Sequence, residues 1–189
     1  DLPASAYSSV AIDDRAAARF AVDTLVSLGH RRIAILTDNQ DDKSISELRF
    51  QGYRDALEHH NIPFDPNLVA CTGTFSDMAM IYRATSDLIE RDNSFTAIFA
   101  IADLMAIAAF KALSDHGRRV PDDCSVVAID GLDMSEYTLP TLTTLVQPVE
   151  DMGLACAKTI IERIENRGQN RQFTFETILR PGGSVKKIN

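Results

Sequence analysis

Residues 120–130, with the sequence Val120-Pro-Asp-Asp-Cys-Ser-Val-Val-Ala-Ile-Asp130, carry the clearest structural signal in the chain. Pro121 and the aspartates after it predict a turn, and residues 125–129 form a short apolar run rich in β-branched side chains. Such a run is typical of a strand buried on both faces of a parallel sheet. It ends on Asp130 beside Gly131, and ligands of open parallel sheets bind at the carboxyl edge of the strands. We therefore expect Asp130 and residues at neighbouring strand ends to recognise a small polar molecule, without catalysing a reaction.

Strands and helices alternate at a regular spacing on both sides of this stretch. Apolar runs predict strands at 9–12, 33–36, 68–71, 97–101, 142–146 and 173–179. Apolar residues at helical spacing predict helices that begin near residues 14, 44, 76 and 103, and a further helix at 148–164. Such alternation is typical of right-handed βαβ units. The predicted fold class is therefore α/β, a doubly wound parallel sheet with flanking helices. The basic, glycine-containing tail after residue 180 is expected to be mobile.

The composition describes an ordinary soluble protein and excludes several classes of function. Hydrophobic residues make up 45% and charged residues 24% of the 189 positions, and no apolar run approaches the roughly 20 residues that span a membrane. The net charge of -8 argues against this chain gripping a phosphate backbone by itself. Its three cysteines are far apart and lack zinc spacing, so we expect a reducing cytoplasm, no metal site and no cofactor.

Five stretches resemble, in the same order, the ligand-binding region of LacI/GalR-type transcriptional repressors. They are the stretch quoted above, Leu28-Gly-His-Arg-Arg-Ile-Ala-Ile-Leu36, Arg49-Phe-Gln-Gly-Tyr53, Phe99-Ala-Ile-Ala-Asp-Leu-Met-Ala106, and Leu139-Pro-Thr-Leu-Thr-Thr-Leu-Val-Gln-Pro148 with Met152-Gly153. The resemblance implies a periplasmic-binding-protein type I-like fold of two lobes, with a small-molecule effector in the cleft between them. It also implies a cytoplasmic homodimer that is not an enzyme. Operator DNA would be bound only through a helix-turn-helix head lying before Asp1.

The resemblance further implies that most of the first lobe lies before Asp1. Residues 1–138 and 172–182 are then the C-terminal lobe, 139–171 is a segment of the otherwise missing N-terminal lobe, and 183–189 is a tail. The helix at 148–164 has an apolar face that normally packs in that missing lobe, so we expect this chain to self-associate through it. Tyr137 lies in a region where full-length family members dimerise side by side.

Arg49, Phe75 and Asp130 match effector-binding positions of the family. Two further candidate site residues are Asp103, which matches an acid of the family at a helix start, and Gln147, which matches a residue near the cleft crossing. The guanidinium of Arg49 offers five donors in a rigid fork, and the Asp130 carboxylate can accept from two hydroxyls at once. The Phe75 ring can stack on a sugar or base face. Structural alternatives remain open at this point. Arg49 can be a surface residue paired with Glu47 or an aspartate, Phe75 a core residue, and Asp103 and Asp130 acids at a helix start and a turn.

Two departures from the family pattern concern the pocket itself. Ala102 stands where the family usually has Asn, which removes an amide able to donate and accept at once. Gly131 replaces the family's second acid after Asp130. A pocket with less hydrogen-bonding capacity suits a deoxy, modified or non-sugar ligand, so the sequence leaves the effector open.

Three other functions are alternatives to effector sensing. A periplasmic sugar-binding protein shares the fold, but the first residues lack the features of a signal peptide. A phosphorylation receiver would need an acceptor aspartate where Cys71 and Thr72 stand and a lysine where Asp130 stands, so it is rejected. A nucleotide-dependent enzyme would need a glycine-rich phosphate loop after the first strand, and the sequence has none there.

Overall fold

A computed structural model of the chain describes residues 6–38, 44–73, 76–165 and 169–188. In chain order the elements are β1 (Ser9–Ile12), α1 (Asp14–Ser27), β2 (Ile33–Thr37), α2 (Ile45–His59), β3 (Val69–Cys71), α3 (Met78–Arg91), β4 (Ala97–Ala100), α4 (Asp103–Asp115), β5 (Ser125–Asp130), β6 (Thr143–Val146), α5 (Val149–Ile164), β7 (Gln172–Phe175) and β8 (Ile178–Arg180). Short 3-10 helices at Pro66–Leu68 and Asp133–Tyr137 complete the connections. Within these ranges no helix is both long and apolar enough to cross a membrane.

The main sheet has six strands in the order β3-β2-β4-β5-β6-β8. All neighbours in it are parallel except the β6–β8 pair, and β1 pairs with β7 in a separate two-stranded sheet. Every residue of β2 and β4 is buried, as are the first five of β5, because helices cover both faces. This arrangement confirms the predicted α/β class with a doubly wound parallel sheet.

Helices α1 and α2 pack unusually close together at Gly52. A Cβ on Gly52 would lie 2.2 Å from the carbonyl oxygen of Arg15 and 2.8 Å from the Cβ of Ala18. Only a glycine therefore lets the two backbones approach this far. Arg49 lies one turn earlier on the same face of α2, so this contact brings its side chain to the start of α1.

The position of β6, between β5 and the edge strand β8, differs from the sequence-based division of the chain. Residues 139–171 were assigned to the other lobe, but β6 pairs in parallel with β5 from Val127 to Asp130 and so belongs to the main sheet. The single strand expected at 173–179 is two strands in two sheets, β7 and β8. Local apolar patterning cannot distinguish these cases, because strand pairing is a tertiary property.

The chain end also differs from expectation, because residues 181–188 are packed against the amino edge of the main sheet. Ser184 is fully buried, with its hydroxyl donating to the Val126 carbonyl at 2.6 Å and accepting from the Thr143 N–H at 2.8 Å. Its carbonyl oxygen accepts from the Val126 N–H at 2.8 Å. Hydrogen bonds of a strand-like kind thus fasten a segment whose composition predicted mobility.

His30 connects this tail to the sheet and predicts a pH-dependent stability. Its ring is almost fully buried between the hydroxyl of Thr96 (2.9 Å) and the carbonyl of Lys186 (3.1 Å), and burial lowers its pKa below 6.5. The unfolded chain therefore binds a proton first as pH falls. We expect wild-type stability to decline below about pH 6.5 relative to His30→Gln, with a constant difference above it.

Chemical denaturation from about pH 5 to pH 8 measures this difference, and His59→Gln is the control because His59 is exposed. A His30→Gln difference that does not change across this range would show that folding leaves the His30 pKa unaltered.

Candidate functional site

Arg49 occupies the centre of the carboxyl edge of the main sheet, where its guanidinium joins two carboxylates. Its Nε donates to Oδ1 of Asp14 at 2.7 Å, and its Nη1 donates to Oδ1 of Asp130 at 3.2 Å and to the carbonyl oxygen of Ile101. The Arg49 residue is only 5% exposed. Of the sequence-based alternatives, an ion pair with aspartates is present, although it is buried and does not involve Glu47.

Asp130 ends β5 with its side chain still 25% exposed, which leaves it reachable from solvent. Besides Arg49, its Oδ1 accepts from Nε2 of Gln147 at 3.0 Å, and its Oδ2 accepts from the Asp103 backbone N–H at 3.4 Å. Burial raises the pKa of the Asp130 carboxyl, and the charge and hydrogen bonds of Arg49 only partly oppose this. The site therefore holds a carboxylate whose charge is incompletely compensated.

The backbone at Asp130 turns sharply, with φ +138° at Asp130 and +76° at Gly131. A Cβ on Gly131 would lie 2.6 Å from the Cα of Val146 on the adjacent strand β6. A side chain at position 131 would therefore collide with backbone, whatever its chemistry. The acid that the family usually has where Gly131 stands would therefore not fit in this backbone.

Asp103 lies beneath the site and is fully buried at the start of α4. Its Oδ1 accepts from the Thr144 hydroxyl at 2.5 Å, and its Oδ2 accepts from the Leu132 N–H at 2.8 Å. Burial raises its pKa, while these hydrogen bonds oppose the shift. Asp103 thus ties α4, β6 and the loop after β5 together, and it supports Asp130 from below through its own N–H.

Gln147 follows β6 directly and reaches Asp130, so four of the five predicted site residues converge at one edge. Phe75, the fifth, lies outside the described residues. Asp14 is a site residue that its local sequence does not identify, because an acid at the start of a helix is favourable there without any ligand. A usable signal was present, because Asp14 follows the end of β1 as Asp130 ends β5.

Two hollows open beside these side chains and share Asp130 and Gln147. The smaller, of about 200 Å³, is lined by Ile45, Ser46, Arg49, Ile101, Ala102, Asp130 and Gln147. The larger, of about 510 Å³, extends from Asp130 towards the start of α5 and Arg180. Among the described residues, no cluster of His, Cys, Asp and Glu could hold a metal ion. The carboxylate, amide and guanidinium groups that line the smaller hollow can exchange hydrogen bonds with a polar ligand.

A hollow of similar size, about 520 Å³, lies at the opposite edge of the sheet. Its rim includes Arg32, which is held by Asp65 at 3.1 Å and Asp92 at 2.7 Å. Its floor is mostly apolar, with Tyr53, Leu57 and Phe64. Since ligands of open α/β sheets bind at the carboxyl edge of the strands, we give priority to the site around Asp130.

Comparison with known proteins identifies a family and a set of relatives for this chain. Residues 22–185 match the periplasmic binding protein-like domain family. The chain is 37% identical over 163 residues to the HTH-type transcriptional regulator CelR of Thermobifida fusca, covering 86% of this chain and 47% of that protein. It is 31% identical over 150 residues to the ribose operon repressor of Haemophilus influenzae, covering 79% and 44%. It therefore spans about half the length of these relatives.

Solved structures give the same result at the level of the fold. The complex of the transcriptional regulator CelR with cellobiose has a TM-score of 0.89 at 34% identity, over 97% of this chain and 55% of that chain. A LacI family transcriptional regulator from Enterococcus faecium with bound ribose has a TM-score of 0.85 at 27% identity, over 94% and 65%.

The buried Arg49 bridge predicts a large loss of stability when its cation is removed. Arg49→Met keeps the aliphatic volume but leaves Asp14, whose side chain is 9% exposed, without its partner. Breaking one partner of a buried ion pair costs about 3–5 kcal/mol of the free energy of unfolding. Urea denaturation should show this loss, and adding Asp14→Asn should recover part of it.

Arg15→Met is the matched control, because it breaks the Arg15–Asp55 pair (2.6 Å) between the same two helices at an exposed position. It should change stability little. Equal losses in the Arg15→Met and Arg49→Met variants would show that burial does not set the energy of the Arg49 bridge.

Proposed function

The chain belongs to the periplasmic binding protein-like domain family, among the effector-binding regions of LacI-type transcriptional regulators, and we propose that it senses a small polar molecule. The first candidates are sugars and related metabolites, since cellobiose and ribose are bound in the two structures compared above. The observation that carries the proposal is the convergence of Arg49, Asp130 and Gln147 on an open hollow at the carboxyl edge of the sheet.

Each of these groups has a distinct part in recognition. Asp130 accepts hydrogen bonds from hydroxyls, because its partly exposed carboxylate has lone pairs to offer. Gln147 has an amide that both donates and accepts. Arg49 offers Nη2, because Asp14, Asp130 and the Ile101 carbonyl already accept from its other two nitrogens. We also retain Phe75 as a stacking partner, on the family match alone. Asp103 acts by positioning Asp130 and Leu132, since it is fully buried and lines neither hollow.

The proposed mechanism is a shift between two arrangements of the protein. Gln147 lies where the chain leaves β6 for α5, and α5 packs beside β1 outside the main sheet. A ligand held by Asp130 and Gln147 would therefore link the main sheet to the α5 side of the molecule. If one arrangement binds ligand better, the ligand increases its population and changes the operator affinity of a separate helix-turn-helix head.

Regulation in the cytoplasm is favoured over two other functions. A periplasmic sugar-binding protein would have the same fold, but the relatives named above are transcriptional regulators. The same relatives give no reason to propose an enzyme. We further propose a homodimer in which Tyr137 and Leu139, which are 86% and 95% exposed, lie in the contact.

Loss of the Asp130 charge should weaken effector binding selectively. The screen is a thermal-shift assay of sugars, nucleosides and amino acids on the full-length gene product. Any ligand found should bind Asp130→Asn at least about 2 kcal/mol more weakly, because the amide has no negative charge and the nitrogen that replaces one carboxylate oxygen cannot accept from a ligand hydroxyl. Calorimetric titration measures this change.

Asp65→Asn is the control, because the Asp65 side chain is 27% exposed and pairs with Arg32 at the opposite edge of the sheet. The proposal fails if Asp130→Asn binds as tightly as the Asp65 variant.

The exposed face of α5 should cause the 189-residue chain to self-associate. Leu154, Ile160 and Ile164 are 70%, 59% and 75% exposed, whereas Met152, Ala155 and Thr159 face the protein. Such an apolar surface is unusual on a monomer. Light scattering should show oligomers that Leu154→Glu and Ile161→Glu dissociate. Arg163→Gln changes the net charge by the same amount at an exposed position on the opposite side of the helix, so it should leave them intact. A monomeric wild-type chain with α5 folded would contradict this expectation.

A further inference from the structure

We propose that Asp14 makes this site selective for uncharged, hydroxyl-bearing ligands over carboxylates and phosphates, by neutralising Arg49. The inference rests on the proposed function, because it concerns the ligand of the same site. Asp14 is only 7% exposed and does not line either hollow, so it acts through Arg49 as a positioning residue.

The first step is the charge balance of the site. Among the described residues that line the smaller hollow, Arg49 is the one basic side chain, and it contacts the carboxylates of both Asp14 and Asp130. Acids also dominate the larger hollow, where Asp133, Glu150 and Asp151 accompany Asp130. Its arginine, Arg180, is paired with Glu136 at 2.6 Å. An anionic ligand would therefore meet an excess of negative charge.

The second step is the geometry of the guanidinium. A carboxylate or phosphate is gripped best by two parallel N–H bonds from one edge of an arginine. One edge of Arg49 pairs Nε with Nη2, and the other pairs Nη1 with Nη2. Nε is held by Asp14, and Nη1 is held by Asp130 and the Ile101 carbonyl, so each edge has one committed nitrogen. A hydroxyl needs only a single donor, so it remains a suitable partner.

The third step is the desolvation of the acids themselves. Burial raises the pKa of both Asp103 and Asp130, which shows that the surroundings already disfavour negative charge. A further negative charge brought by a ligand would add to this penalty. Protonated or hydroxylated groups instead donate hydrogen bonds to the Asp130 carboxylate and so reduce its desolvation penalty.

Asp14→Asn tests this assignment with little change of shape. The amide oxygen can still accept from Nε of Arg49, while the charge that cancels the guanidinium is gone. Asp13→Asn is the matched control, because Asp13 is the exposed neighbour that caps α1 by accepting from the Ala16 N–H. Asparagine preserves that cap. Both variants remove one negative charge, but only Asp14→Asn changes the partner of Arg49.

The experiment titrates inorganic phosphate, glucuronate and glucose into the full-length gene product and both variants, with calorimetry and thermal shift as readouts. We expect wild type and Asp13→Asn to bind the two anions negligibly. Asp14→Asn should bind at least one anion about tenfold more tightly or better, because one nearby negative charge no longer opposes the anion or cancels the guanidinium. A merely structural role for Asp14 would lower stability without this gain in anion affinity.

The outcomes separate this inference from the proposed function. If Asp14→Asn gains no more anion affinity than Asp13→Asn, or if wild type already prefers an anion, the assignment of Asp14 is overturned. The sensing function would still stand if Asp130→Asn weakens an effector found in the ligand screen. A gain of anion affinity by Asp14→Asn supports the assignment even where glucose itself does not bind.

Discussion

The buried bridge from Asp14 through Arg49 to Asp130 is the interaction on which the rest of this site depends. Its three residues come from the start of α1, the first turn of α2 and the end of β5, and the guanidinium also contacts the carbonyl that follows β4. A charge can remain this buried only when its partners are close and its donors are used. The bridge therefore holds three chain segments at one edge of the sheet, and it leaves Asp130 partly exposed there.

Two kinds of close packing make the bridge possible. Gly52 lets α2 approach α1 until a Cβ would overlap the Arg15 carbonyl, and Gly131 lets the chain turn against Val146. Beneath them, the fully buried Asp103 accepts hydrogen bonds from the Thr144 hydroxyl and from the Leu132 N–H. The result is a rigid floor with a polar opening, which is how a scaffold fixes the direction of a few recognition groups. The proposed sensing function needs one closely packed side of this kind, so that the binding free energy of a ligand can move the rest of the protein relative to it.

Much of this could be anticipated from local pattern and from the family resemblance. The apolar runs that became β2, β4 and β5 are buried on both faces, and the helix expected near residue 44 begins there, where the Ser44 hydroxyl accepts from the Glu47 N–H. The placement of Arg49 and Asp130 near one another followed from parallel strands ending at a common edge. The pairing of β6 with β5, the division of 173–179 between two sheets and the burial of Ser184 did not follow. Each depends on which strands meet, and apolar periodicity carries no information about partners.

The sequence by itself determined the α/β class, the order of strands and helices along the chain, and the acid at the end of β5. These depend on residue periodicity and turn chemistry, which act over a few positions. Only the tertiary structure decided how the charges of the site are shared. Asp14 reads locally as a helix-start acid, yet it holds Arg49 at 2.7 Å across 35 residues of sequence. Electrostatic energy depends on distance and burial in space, so the pairing became visible only once the helices were packed together.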